Sequence, residues 1–228
     1  MPRVNQNKTM ELPIFNDNLK SSGSWTSLAA QAQTRWTMIR ANALPQVRAA
    51  QVASFAKDAD TAPVKAAAEL VTNWASEPAT IFNQSHLLAL HCALTGPDAL
   101  GDVLRQTEPQ PLNAVHDPAP AVLLPRLLDN AFDWFSTEGF AELHAIEQAS
   151  IVYLRLLDLH PFLTLNETTA LFAASFYVER AGHPPLFVYA DDITTARFSA
   201  VTERAFQLLT QPLVEFFAEM LQRAVAES

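Results

Sequence analysis

Apolar residues recur every three or four positions along most of the chain, beginning with Trp25, Leu28, Ala32, Trp36 and Ile39. That period keeps one face of an α-helix apolar and predicts a helix from Trp25 through Ala41. Pro45 lacks the amide hydrogen that a helix interior needs, so it is expected to end this helix or start the next, over Val47–Phe55. Further helices are predicted over Val64–Trp74 and Ile81–Leu94, the second closed by Gly96-Pro97. Residues 101–120 break the pattern. Pro109, Pro111, Pro118 and Pro120 forbid a continuous helix there and leave a rigid loop with room for one small β-hairpin. Helix returns over Val122–Phe135, Glu142–Leu159, Glu167–Ala181 and Ala196–Val225, the last with a bend at Pro212. The run Ile151–Leu159 is apolar on most faces, as befits a helix in the middle of a bundle.

The prediction is therefore an all-α bundle. Composition agrees, because the 228 residues are 49% hydrophobic and include only 5 Gly, too few for a fold rich in hairpins. Residues 1–24 are polar, end in Ser21-Ser22-Gly23-Ser24 and read as a flexible arm. A net charge of −9 argues against binding to a nucleic-acid backbone. Met1–Lys20 holds no apolar core of a signal peptide and no run is long enough to span a membrane, so a soluble cytoplasmic protein is expected. Cys92 is the only cysteine; it permits no internal disulfide and reads as an inert core thiol.

Candidate chemistry lies between the two most apolar helices, in Leu159-His160-Pro161-Phe162-Leu163-Thr164-Leu165-Asn166-Glu167-Thr168-Thr169-Ala170-Leu171. Thr164 and Glu167 have the spacing of a capping box, in which side chains satisfy the first amides of a helix. His160 reads either as a buried, hydrogen-bonded imidazole or as a base, and Asn166 either as a cap or as a ligand contact. His144 shares a helix face with Glu147, and His86 and His91 lie close together, but no further ligands converge on them, so no metal site is predicted. Trp25, Trp36, Trp74 and Trp134 are expected in the core, and Asp191-Asp192 in a solvated loop.

This segment resembles the signature loop of the Fic (Fido) family, His-Pro-Phe-x-Asp/Glu-Gly-Asn-Gly-Arg-x-x-Arg. Ala149 in the preceding helix, Gly182-His183-Pro184-Pro185 after the following one, Ser85–His91, and Gly101-Asp102-Val103-Leu104-Arg105 extend the likeness to about residues 25–225. The resemblance implies a helical core over residues 76–192. Residues 25–75 would supply preceding helices, and 193–228 a helical extension. In the family the His is a general base toward a target hydroxyl, the acid holds Mg²⁺, and the Gly-Asn-Gly backbone and two Arg hold the phosphates of ATP.

Carried over by position, His160, Phe162 and Asn166 are kept. Thr164 stands at the metal position, Leu165 and Glu167 at the two Gly positions, and Thr168 and Leu171 at the two Arg positions. Asn166, Glu167 and Thr168 are thus the candidate phosphate contacts. Each lost bond to a charged group costs roughly 1.5–3 kcal/mol. A carboxylate about 4 Å from a phosphate charge repels it by up to about 4 kcal/mol at an effective dielectric near 20. Any two such losses would slow transfer by several decades. Thr37–Leu44 resembles the family's inhibitory helix, with Arg40 at its Glu position, so a contact from Arg40 to Leu171 or Glu167 is expected. The reading is a Fic-like protein with a degenerate loop that acts by protein binding or regulation. It needs no cofactor and leaves homo-oligomers open. The alternative is a divergent nucleotidyl or phosphoryl transferase that uses His160 with ATP and Mg²⁺. A purely structural subunit is a third reading.

Overall fold

The computed structural model describes residues 23–56, 60–96, 103–111 and 115–228. The polar arm up to Ser22, Pro97 and the Gly101-Asp102 turn lie outside the described residues. The helices are α1 (Gly23–Ala56), α2 (Ala62–Ser76), α3 (Gln84–Thr95), α4 (Leu124–Phe135), α5 (Glu138–Ala141), α6 (Ala145–Leu159), α7 (Asn166–Arg180), α8 (Asp192–Phe206) and α9 (Gln211–Ala226). A 3-10 turn, Ala121–Leu123, leads into α4. The fold is all-helical. Among the described residues of the 101–120 segment there is no strand, as its prolines require.

Helices α6 and α7 pack most closely on each other. Ile151–Leu157 and Leu159 on one, and Thr169–Phe176 on the other, are buried on nearly every face. Such residues have no polar stripe to give to solvent, so the pair must be surrounded. Helices α2 and α3 cover α7, α9 and α8 cover α6, and α1 lies along α9. Small residues such as Ala149, Ala170, Ala173 and Ala174, all wholly buried, let the central pair approach. Trp25 and Trp36 are in the core, with Trp74 and Trp134 packed against it. Cys92 is only half-buried.

Two boundaries differ from expectation. Pro45 does not end a helix; α1 runs through it unbroken. A proline inside a helix costs about 3 kcal/mol, which flanking contacts must offset. Ala43, Val47 and Val52 are buried, Arg48 pairs with Glu179 at 2.6 Å, and Gln51 donates to the carbonyl of Leu186 at 3.0 Å. Nor is there one long C-terminal helix bent at Pro212. Helix α8 stops at Phe206, where Leu209 N–H bonds the carbonyl of Arg204 and Leu208 N–H that of Ala205, both at 3.0 Å. That pair of bonds is a Schellman motif, with Leu208 at φ 68° where glycine is the usual occupant. Pro212 then sits in the first turn of α9, where its missing amide costs nothing. Asp191, expected merely to be solvated, caps α8 by accepting from Thr194 N–H at 2.9 Å and pairs with Arg223 at 3.0 Å.

Candidate functional site

The buried run of α6 ends at His160, which caps the helix in the left-handed region at φ 49° and ψ 58°. A β-carbon is crowded in that conformation, so a non-glycine residue stays there only where its surroundings force it. The principal restraint is Arg105. Its guanidinium donates to the carbonyls of His160 at 2.6 Å, Leu159 at 3.2 Å and Thr107 at 2.9 Å, and also to Ala119. Its own amide donates to the carbonyl of Pro161 at 2.9 Å. A buried cation therefore takes up the unbonded carbonyls at the negative end of α6.

The imidazole of His160 is neutral well below pH 7. Burial pushes its pKa from 6.5 down to about 4, the nearby His116 and Arg105 push the same way, and a contact with the Leu157 carbonyl opposes them. Its Nδ1 is buried without a hydrogen-bond partner. His116 lies beside it with ring centroids 6.4 Å apart, its Nε2 3.3 Å from the Asp158 carbonyl and 3.9 Å from the carboxylate. Asp158 in turn pairs with Arg155 at 2.9 Å. Phe206 packs on His116 at 4.6 Å.

From His160 the chain turns over a core anchor, Phe162, which is fully buried. The ring of His91, on α3, stacks flat on it at 3.7 Å, and His91 Nε2 lies 3.0 Å from the carbonyl of Thr164. Asn166, 5% exposed, brackets the same residue. Its Oδ1 accepts from Phe162 N–H at 2.9 Å and its Nδ2 donates to the Phe162 carbonyl at 2.8 Å. The Asn166 side chain is thus committed within the loop, to the backbone of Phe162 rather than to a cap of α7.

The capping box does not form. Leu165, not Thr164, is the N-cap of α7, and no side chain caps that end of the helix. Leu165 is left-handed at φ 58° and ψ 19°, although it is a leucine and 43% exposed. Glu167 is exposed in the first turn, a carboxylate at the positive end of the helix dipole. Thr168 is half-buried beside it, Thr164 is exposed, and Leu171 is buried in the core. Leu163 stands 70% exposed at the tip.

The turn therefore brings His160, Asn166, Glu167 and Thr168 together, but not Arg40. Arg40 lines a cleft of about 450 Å³ with Thr72, Ser76, Glu179, Arg180 and Gly182, at the opposite end of α7. At 1.5 Å per residue, the twelve residues from Glu167 to Glu179 span about 18 Å, too far for the expected contact. Sequence reasoning also missed the parts played by His91, His116 and Arg105. Their partners lie 73, 42 and 55 residues away along the chain, beyond any local pattern.

What the turn resembles is borne out by comparison with known proteins. Residues 81–178 match the model of the Fic/DOC family. The chain is 24% identical over 99 residues to "Protein adenylyltransferase Fic" of Drosophila willistoni, a match covering 43% of this chain and 20% of that protein. It thus spans about a fifth of that relative's length. Its fold is similar to that of a Fic family protein from Desulfovibrio desulfuricans, with a TM-score of 0.68 at 19% identity over 95% of this chain and 76% of that one. It is also similar, with a TM-score of 0.53 at 14% identity over 87% of this chain and 62% of that one, to an IbpAFic2 variant in complex with adenylylated Cdc42.

Proposed function

We propose that this chain, which carries a Fic/DOC family domain over residues 81–178, is a degenerate member that binds or regulates a protein rather than transferring AMP. The observation that carries the reading is the start of α7. It opens on Leu165 with Asn166 committed to Phe162, and its first turn holds the carboxylate of Glu167. A polyphosphate approaching that turn would meet a leucine side chain and a negative charge where the family offers two glycines. The residues present do not fit Mg²⁺ either, because Thr164 brings a neutral hydroxyl to the position of the metal-binding acid. Leu171 supports the same reading. It is 2% exposed, so a guanidinium at that position would have to leave the core to meet a phosphate.

A protein as the partner is supported by the family, since one structural neighbour was solved with an adenylylated protein bound. Among the described residues no helix is long and apolar enough to cross a membrane. A cytoplasmic location remains part of the proposal.

One observation favours the alternative, a divergent transferase. The His160 imidazole is neutral, partly accessible and held in a strained backbone state, all of which suits a general base. Incubation with labelled nucleotides and candidate protein targets, with and without His160→Ala, decides between the two. No transfer, together with nucleotide-independent capture of a defined protein, is the expected result. Label transfer that His160→Ala abolishes would replace the proposal by the alternative.

A further inference from the structure

The stretches 103–111 and 115–120 deliver two basic side chains to His160, Arg105 and His116, and neither is explained by phosphate chemistry. Arg105 is 3% exposed, and its guanidinium bonds four main-chain carbonyls, two of them on the residues that end α6. All five N–H groups of arginine sit in one rigid plane, so a single side chain can fix several carbonyls at once, which a lysine ammonium cannot do at the same spacing. Its ion pair among the described residues is with Glu108, at 3.7 Å and 65% exposed, too wet to account for burying the cation. Glu108 instead accepts from Ala121 N–H at 2.9 Å, which ties the far end of the segment to the same arginine. His116 approaches from the other side, wedged between His160, Asp158 and Phe206.

Geometry alone distinguishes this from ordinary packing. A carbonyl at a helix end can be satisfied by water, and a helix can end on a residue with unstrained backbone. Here the last two carbonyls, of Leu159 and His160, are held by one cation while His160 sits at positive φ with its Nδ1 left without a hydrogen-bond partner. The bonds restrain the backbone, and the backbone aims the ring.

We infer that Arg105 and His116 are positioning residues for His160, Arg105 by locking its left-handed backbone and His116 by walling its ring. Together they make the described stretches 103–111 and 115–120 a structural part of the site rather than surface loops. The inference concerns the state of His160 itself, and it holds whether or not the domain transfers a nucleotide. The charged and titratable groups around the ring are Arg105 and His116 themselves, Asp158 with its partner Arg155, and Glu108 behind Arg105. The two residues nearest His160 both disfavour a positive charge on it, which agrees with its depressed pKa.

The test is NMR of the full chain, following the His160 ring through a pH titration and its backbone φ through the H–N–Cα–H coupling. The wild type should show a midpoint near 4 and a left-handed coupling. In Arg105→Lys the charge stays but the fork is lost. The coupling should then move out of the left-handed range and the midpoint should rise by about one pH unit, as the ring gains water. In His116→Gln the backbone should stay left-handed while the midpoint rises by a smaller amount. Should Arg105→Lys fail to fold, His116→Gln still tests the second half. His160→Gly then tests the first, because glycine takes this backbone state freely and should give about a fivefold gain in the folding constant if the lock imposes strain. Variants that lose stability while the His160 midpoint and coupling stay at wild-type values would overturn the inference and reduce both residues to ordinary packing.

Discussion

The two ends of the turn between α6 and α7 are both left-handed, yet they are held in opposite ways. At the first end, His160 is surrounded by side chains from distant parts of the chain, and its strain is matched by bonds from a buried arginine. At the second end, Leu165 adopts a similar backbone state with no side chain capping the helix it opens and with its own side chain partly in water. The first end is held by distant side chains, whereas the second keeps the same backbone shape without a side-chain cap. Such a backbone path does not need a ligand to hold it, because it is fixed by the core residues between its ends, here Phe162, His91 and Asn166.

The largest effect should come from that middle. Asn166→Ala strips both partners from the buried Phe162 N–H and carbonyl, which cannot turn to water. At 1–3 kcal/mol for each orphaned group the loss should be about 4 kcal/mol, read as a shift of the urea midpoint at pH 7.5. A loss under about 1 kcal/mol would mean that the turn is held from its ends alone, and the contrast drawn above would fail.

Next is the acid response of the first end. His160 and His183 both titrate near 4 in the folded chain, lowered chiefly by burial, with Nδ1 of each buried and unpaired. Unfolded, each would bind a proton at 6.5. The unfolded state therefore takes up more protons between the two values. Stability should be complete above pH 6.5 and fall as the pH drops toward 4, by up to about 3 kcal/mol for His183 and by less for the partly accessible, solvent-screened His160. His183→Gln should flatten that slope by at least half. Urea midpoints that do not change between pH 7 and pH 4.5 would show that neither imidazole is buried as described. His91→Ala should cost less, about 2 kcal/mol, because it opens a space over Phe162 and the Thr164 carbonyl it frees lies at an exposed residue that water can reach.

Much of the fold was legible because helices announce themselves through apolar period. The centre of the bundle was legible too, since Ile151–Leu159 could be placed nowhere else. What escaped were features made by residues in unusual roles. Pro45 lies inside α1 because long-range contacts outweigh its local cost. Leu208 ends α8 in the manner of a glycine, so no glycine was there to mark the break. The same substitution of leucine for glycine misled the reading of the site. With Thr164 and Glu167 at capping-box spacing, the sequence suggested a side-chain cap, but Leu165 keeps the left-handed bend and takes the N-cap position one residue later. His160 and Asn166 were singled out by their order along the chain. Arg105 and His116 could be assigned their tasks only once they were seen at the end of α6.

The smallest predicted effect bears most directly on the second end. Leu165→Gly relieves a left-handed strain of roughly 1–2 kcal/mol and gives back about half of that as chain entropy in the unfolded state. The exposed leucine contributes little burial, so the variant should be more stable than the wild type by about 1 kcal/mol, visible as a raised urea midpoint. Glycine is therefore the better residue here for stability as well as for phosphate binding, and the presence of leucine needs a reason outside the fold. An exposed pair, Leu163 and Leu165, on a turn fixed by Asn166 and His91, is what a protein contact would retain at a cost in stability. If Leu165→Gly instead destabilises the chain, the side chain is packed more than its exposure suggests and Leu165 is there for structure. If the variant is more stable but also acquires nucleotide binding, the leucine is what closed the cradle, and Glu167 is a lesser obstacle than its charge implies.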